Sequence, residues 1–256
     1  MSMLNHQIQG EGPKVLLIHG LFGDKANLNG LAKTLVQDYQ VIQVDLRNHG
    51  ESFWSNQMNY HLMAADVAQL LSHLKIKQLH VVGHSMGGKT AMALALTQPQ
   101  LVQSLTVVDI SPVRYEHKHT KVFDALCSLP IKQLDSRNQA IAHMQQQQID
   151  IGTTQFLLKN LKKEQDGYRW RMNLDVIEQQ YQQIADWPFS DETYSGPTLF
   201  IKGELSEYML PQHQQQVVNH FPNAKAKVIN GTGHWLHAEK PKIFHKLVGD
   251  FLTNCY

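Results

Sequence analysis

A serine stands in the run Gly83-His84-Ser85-Met86-Gly87, directly after the apolar stretch Leu79-His80-Val81-Val82. This is G-x-S-x-G, the pattern of a sharp strand-to-helix turn that holds a serine hydroxyl clear of the backbone. Glycines flank the serine because a Cβ there would strike the neighbouring strand or helix. A serine hydroxyl is a weak nucleophile at neutral pH. It needs a base for its proton, a group to orient that base, and donors for the oxyanion that forms on the attacked carbonyl.

The same residues fit a second pattern. Gly83 to Thr90 reads G-H-S-M-G-G-K-T, which matches the phosphate-binding loop G-x-x-x-x-G-K-[ST]. There Lys89 and Thr90 would hold a nucleotide and its metal, with 105–109 as the magnesium-binding strand. That reading leaves His19-Gly20 and His234 without a role. It also puts the nucleotide loop on a middle strand, whereas such domains usually open with it.

The base is expected late in the chain, because sheet-borne serine hydrolases run Ser, then Asp or Glu, then His. His234 fits, in the glycine-rich stretch Asn230-Gly231-Thr232-Gly233-His234-Trp235 before the final helix. His237 is read as structural. One oxyanion donor would be the amide of Met86, at the start of the helix that follows Ser85. The other would be Leu21, in His19-Gly20-Leu21-Phe22-Gly23 after the first core strand. The acid has several candidates. Asp109 ends a strand, where a carboxylate of a parallel sheet is well placed. Glu207 and Glu204 follow the next strand, and Asp175 is an outlier. Asp109 is preferred, with Glu207 and then Glu204 behind it.

Candidates to line a substrate pocket are Phe22, His84, Arg114 and Trp235, with Trp54 and Phe123 as further aromatics. Arg114 opens a basic stretch, 114–121, that could attract an acidic acyl group or phosphates. A solvated helix start is the plainer reading of it.

These residues need a scaffold that brings distant loops to one edge. Short β-branched runs at 14–19, 40–44, 79–82, 105–109, 198–202 and 226–229 alternate with helical patterns at 28–36, 60–74 and 85–97. A weaker strand at 4–9 is expected to be antiparallel. Near-continuous apolar strands separated by helices predict a mostly parallel sheet covered on both faces. The alternation stops after Ser111-Pro112. Residues 113–190 show only helical patterns (121–128, 137–149, 173–185), and a buried-type strand follows Gly196-Pro197. The expected organisation is a core of 1–112 and 191–256 with a helical cap inserted at 113–190. A chain of 256 residues is long enough for this.

The formal charge of +1 argues against a nucleic-acid partner. No apolar run approaches the roughly 20 residues of a membrane span. Two distant cysteines, Cys127 and Cys255, and the lack of a leader pattern predict free thiols in the cytoplasm.

Taken together, the motifs resemble the α/β-hydrolase superfamily, and within it the bacterial YbfF-type esterases and related abhydrolase-domain proteins. The matching segments are His19–Gly23, Asp45-Leu46-Arg47-Asn48-His49-Gly50 with Ser52, Gly83–Lys89, Val108-Asp109-Ile110-Ser111-Pro112-Val113, and Gly233-His234-Trp235-Leu236-His237-Ala238-Glu239-Lys240-Pro241. They lie in order over nearly the whole chain. The resemblance implies an esterase for carboxylic esters or thioesters, acting without cofactor or metal, with Ser85 as nucleophile and His234 as base. It favours Asp109 as the acid, although Glu204 and Glu207 keep an alternative open. The implied partner is a small-molecule ester, and the expected state a monomer or weak homodimer. Cofactor-free haloperoxidase-like or C–C bond hydrolysis could run on the same triad. A non-catalytic ligand-binding or scaffolding relative would usually have lost one of these parts.

Overall fold

The computed structural model describes residues 2–255. The chain begins with strands β1 (His6–Gln9) and β2 (Lys14–Ile18), helix α1 (Asn29–Leu35) and strand β3 (Gln40–Val44). Then come α2 (Tyr60–His73), β4 (Leu79–His84), α3 (Met86–Thr97) and β5 (Val102–Val108). The inserted segment holds α4 (Thr120–Cys127), α5 (Arg137–Gln146), α6 (Ile151–Leu157), β6 (Leu161–Lys163), β7 (Tyr168–Trp170), α7 (Leu174–Gln179) and α8 (Tyr181–Ala185). The chain closes with β8 (Thr198–Gly203), α9 (Gln214–His220), β9 (Ala224–Ile229), α10 (Leu236–Glu239) and α11 (Pro241–Thr253).

Seven strands form one sheet in the order β1-β3-β2-β4-β5-β8-β9. β1 runs antiparallel to β3, and every other pair is parallel. Side chains of a strand alternate between faces, and the core divides accordingly. Leu16, Ile18, Ile42, Val44, Val81, Leu105, Val107 and Phe200 point into one cluster, with α2, α3 and the inserted segment. Val15, Leu17, Val41, Val82, Val108, Leu199 and Ile201 point into the other, against α1 and α11. Both faces of the central strands β2, β4 and β8 are buried, so these strands are largely apolar, whereas the edge strands β1 and β9 are polar and mostly exposed. α3 is buried on all sides from Met86 to Leu96, as a helix must be when covered by sheet, helix and insert together.

The inserted segment departs from its expected all-helical character. β6 and β7 pair as an antiparallel hairpin, with Glu164 N–H donating to the Gly167 carbonyl at its turn. Strands of three residues are too short for period-two patterning to register. The helix expected over 173–185 is two helices, broken at Gln180. The segment shares the apolar cluster of the α2/α3 face, through Phe123, Leu126, Met144, Leu157, Tyr168 and Tyr181 among others. Among the described residues, no helix is long and apolar enough to cross a membrane.

Candidate active site

Ser85 occupies the turn between β4 and α3 with φ 55° and ψ −120°. That left-handed geometry strains a residue with a Cβ, at a cost of order 1–3 kcal/mol. The surrounding packing enforces it. Ser85 N–H donates to the Val108 carbonyl at 2.9 Å. A Cβ on Gly83 would lie 2.2 Å from the Gly87 carbonyl oxygen, and one on Gly87 would lie 2.4 Å from those of Ile18 and His19. Only glycine lets the helix start so close to β2 and β4. The Ser85 side chain does not cap its own helix, so the hydroxyl is available to other partners.

That partner is His234. Ser85 Oγ stands 3.0 Å from His234 Nε2, and His234 Nδ1 stands 2.7 Å from Asp109 Oδ2. The three residues come from the ends of β4 and β5 and from the loop after β9. Asp109 is fully buried and itself in the left-handed region, at φ 53°. Its backbone N–H bonds the Ile201 carbonyl at 2.9 Å, carrying the β5–β8 ladder one residue further. Its Oδ1 accepts from Gly203 N–H at 2.9 Å, and its Oδ2 accepts from the Ser206 hydroxyl as well as from His234. A buried carboxylate with three donors is a satisfied one. The Tyr208 ring covers His234, with centroids 4.2 Å apart.

The alternative acids lie elsewhere. Glu207 is exposed and pairs with Lys118 at 3.1 Å. Glu204 accepts from Gly231 N–H at 2.6 Å on the outer side of the loop. Asp175 is exposed on α7. Strand β8 delivers the 203–207 turn with Ser206 facing inward, which sends both glutamates into solvent.

The Leu21 and Met86 amides donate to no protein acceptor among the described residues. The loop holding Leu21 is braced by two neutral histidines. Phe22, at φ 59°, donates its N–H to His49 Nε2 at 3.2 Å, while His49 Nδ1–H donates to the Arg47 carbonyl at 3.0 Å. His19 Nδ1–H donates to the Gly20 carbonyl at 2.8 Å and Nε2 accepts from Leu46 N–H at 3.0 Å. Burial lowers both imidazoles, His49 to about 3. Burial pushes Asp45 up, but the amides of Glu51 and Lys25 outweigh it and hold the carboxyl below its ordinary value. Arg47 grips Asp66 through two bonds, 2.6 and 2.8 Å. The segment from Asp45 to Ser52 thus acts as scaffolding for the loop beside Ser85.

A cavity of about 270 Å³ opens over Ser85, lined by Leu21, Phe22, Met86, His119, Tyr208 and Trp235 among others. Three of the residues expected to line it, Arg114, Trp54 and Phe123, do not. Arg114 is exposed and lines a separate surface hollow with Glu116 and His117. Its neighbour Tyr115 turns inward, bonding Ser111 and the Tyr208 carbonyl, so Arg114 is thrown outward. His84 borders the cavity, but its Nε2–H is used on the His234 carbonyl at 3.0 Å. Trp54 is 56% exposed and outside the cavity. Phe123 lies behind its wall, edge-on to Phe22 at 5.4 Å.

The phosphate-loop alternative also needs correction. Lys89 is 1% exposed. Its ammonium donates to the carbonyls of Ala185 and Asp186 at 3.1 and 2.7 Å, and Thr90 bonds the Met86 carbonyl. A nucleotide-binding lysine must reach phosphates, and this one is spent on the inserted segment. Tyr60, Tyr181, Tyr208 and Ser206 went unmarked by sequence reasoning, and Tyr115 and His119 entered it only within the basic stretch 114–121. They carry no motif spacing, apart from Ser206 within the segment searched for acids. Among the described residues, no group of three or more His, Cys, Asp or Glu side chains could hold a metal ion.

Residues 13–241 match the α/β-hydrolase-fold family. The chain is 39% identical to the esterase YbfF of Escherichia coli, over 97% of this chain and 96% of that protein. It is 41% identical to the mouse sn-1-specific diacylglycerol lipase ABHD11, over 94% of this chain and 81% of that protein. A solved marine-microorganism esterase superposes with a TM-score of 0.95 at 35% identity, covering 98% of this chain and all of that one. The chain belongs to the α/β-hydrolase family and groups there with the YbfF-type esterases.

Proposed function

We propose that this hydrolase cleaves carboxylic esters through Ser85, His234 and Asp109, by way of an acyl-enzyme. The unbroken hydrogen-bond path from the Ser85 hydroxyl through His234 to Asp109 carries the reading. His234 Nε2 takes the serine proton as Oγ bonds the ester carbonyl carbon. The carbonyl oxygen, now an anion, sits between the amides of Leu21 and Met86. Asp109 holds the imidazole with its proton on Nδ1 and stabilises the imidazolium. The C–O bond to the alcohol breaks as His234 returns the proton to the leaving oxygen. Water then adds to the acyl-enzyme by the same steps and frees the acid and the serine.

Residues 113–190 serve as the cap that closes the cavity. Asn160 Nδ2 donates to the Phe22 carbonyl at 2.6 Å, and Arg171 pairs with Asp24 and Glu51. These bonds tie the cap to the loop that bears Leu21. A cavity of about 270 Å³ lies just under the range of roughly 300–1,000 Å³ usual for drug-sized ligands, which favours short acyl groups. The test is hydrolysis of p-nitrophenyl butyrate by the wild type and by Ser85→Ala. Turnover should fall by several orders of magnitude in the variant. Activity retained by Ser85→Ala would remove the reading.

A further inference from the structure

His119 sits at the N-terminal edge of α4, on the cap, and lines the cavity that contains Ser85 and His234. None of the steps above uses it. It is held in one protonation state and one tautomer by its neighbours. The Tyr181 hydroxyl bonds His119 Nδ1. Burial raises the Tyr181 phenol above its ordinary value, so it keeps its proton and can donate it to Nδ1. Among the described residues His119 Nδ1 is the acceptor that the Tyr181 hydroxyl meets. With Nδ1 accepting, the neutral ring carries its proton on Nε2. Burial lowers His119 to about 4, and the nearby His234 acts in the same direction. The ring therefore stays neutral where an esterase works. Its Nε2–H makes no bond to protein among the described residues, and the ring is only half-buried. Phe22 and Tyr181 meet it edge-on, at 6.4 and 5.4 Å, and fix its plane.

A fixed donor in an otherwise largely apolar cavity is a specificity device, since a polar group left unpaired there is costly. We infer that His119 Nε2–H donates to a substrate oxygen close to the scissile carbonyl, so that the site prefers esters bearing a hydroxyl beside the reacting group over plain alkyl esters. His119 is then a specificity residue supplied by the cap, and Tyr181 is the positioning residue that sets its tautomer. The inference rests on the esterase reading above.

Three matched esters test it: ethyl butyrate, hydroxyethyl butyrate with the oxygen on the alcohol side, and ethyl β-hydroxybutyrate with it on the acyl side. kcat/KM is measured for the wild type, His119→Phe, His119→Gln and Tyr181→Phe. In His119→Phe, one oxygenated ester should lose about tenfold relative to ethyl butyrate, the worth of one neutral hydrogen bond. Which ester responds identifies the side that is read. His119→Gln, which keeps a donor, should restore part of the ratio. Tyr181→Phe, which keeps the ring but frees the tautomer, should lower the same ratio by less. Equal losses on all three esters would reduce His119 to a packing residue and overturn the inference, as would unchanged ratios for both oxygenated esters. A folded wild type as inactive as Ser85→Ala on every ester would instead sink the esterase reading, and the inference with it.

Discussion

His84 Nε2–H donates to the backbone carbonyl of His234 at 3.0 Å. The residue before Ser85 thus anchors the loop that carries His234, independently of the Ser85–His234–Asp109 path. The His84 ring also packs against those of His234, Trp235 and His237, at 4.8, 5.6 and 4.4 Å. Burial lowers its pKa well below the ordinary value, with the His237 and His234 charges adding to the effect. It therefore stays a neutral donor.

His84→Phe keeps the packing volume and deletes that donor. The His234 carbonyl then lacks its partner, and the imidazole gains freedom to drift from Ser85. kcat should fall about tenfold, equivalent to about 1.4 kcal/mol of barrier, with KM for p-nitrophenyl butyrate nearly unchanged. A rise in KM at constant kcat would mean that His84 contacts substrate instead.

Much of this site could be read from the chain because it lies in short motifs at element junctions. Gly83, Gly87 and the Asp45–Ser52 segment betray tight turns and close backbone approach. Strand ends β4 and β5 placed Ser85 and Asp109 at the same sheet edge. What could not be read depends on side-chain direction. Nothing in Gly203-Glu204-Leu205-Ser206-Glu207 says that the serine faces inward and the glutamates outward. That follows from where β8 ends beside Asp109. Arg114 and Tyr115 are adjacent, and the bonds of the Tyr115 hydroxyl to Ser111 and the Tyr208 carbonyl decide which of them turns in. The β6–β7 hairpin escaped for lack of length.

The choice of acid yields a direct comparison. Asp109→Asn should cut turnover by about 10³–10⁴-fold, because an amide cannot hold the imidazole in its working tautomer. Glu207→Gln and Glu204→Gln should stay near wild type, since neither carboxylate touches His234. Ser206→Ala removes one of three donors to Asp109 and should cost about tenfold. A severe loss in Glu207→Gln with Asp109→Asn unharmed would reverse the assignment.

Arg47 and Asp66 form a buried, two-pronged ion pair. Arg47 also bonds the Gln57 carbonyl at 2.9 Å. Arg47→Met strands a buried carboxylate and should destabilise the fold by about 3–5 kcal/mol. Adding Asp66→Leu removes the stranded charge and should recover a substantial part of that loss. Urea unfolding of the two single variants and the double variant gives the coupling. Additive losses would show that the pair contributes as two independent residues.

Lys89 gives a prediction with a definite sign in pH. Burial lowers its ammonium from an ordinary 10.5 to about 7, against the opposing charge of Asp186. The unfolded chain keeps that proton up to about pH 10. Between these values the unfolded state binds more protons than the folded one, so stability rises with pH. The cost of burying the charge is fully present below pH 7 and is relieved as pH climbs toward 10.5. Lys89→Met has no such group. The stability of the wild type minus that of Lys89→Met should therefore increase steadily from pH 7 to 10 and be flat below pH 7. Taking the difference cancels the titrations common to both proteins. The slope is read from urea midpoints in a single series of buffers. Parallel profiles would mean that the two carbonyls, with the Tyr60 and Tyr115 rings at 5.3 and 4.7 Å, hold the ammonium charged throughout. A falling difference would mean that the folded state prefers the charged form.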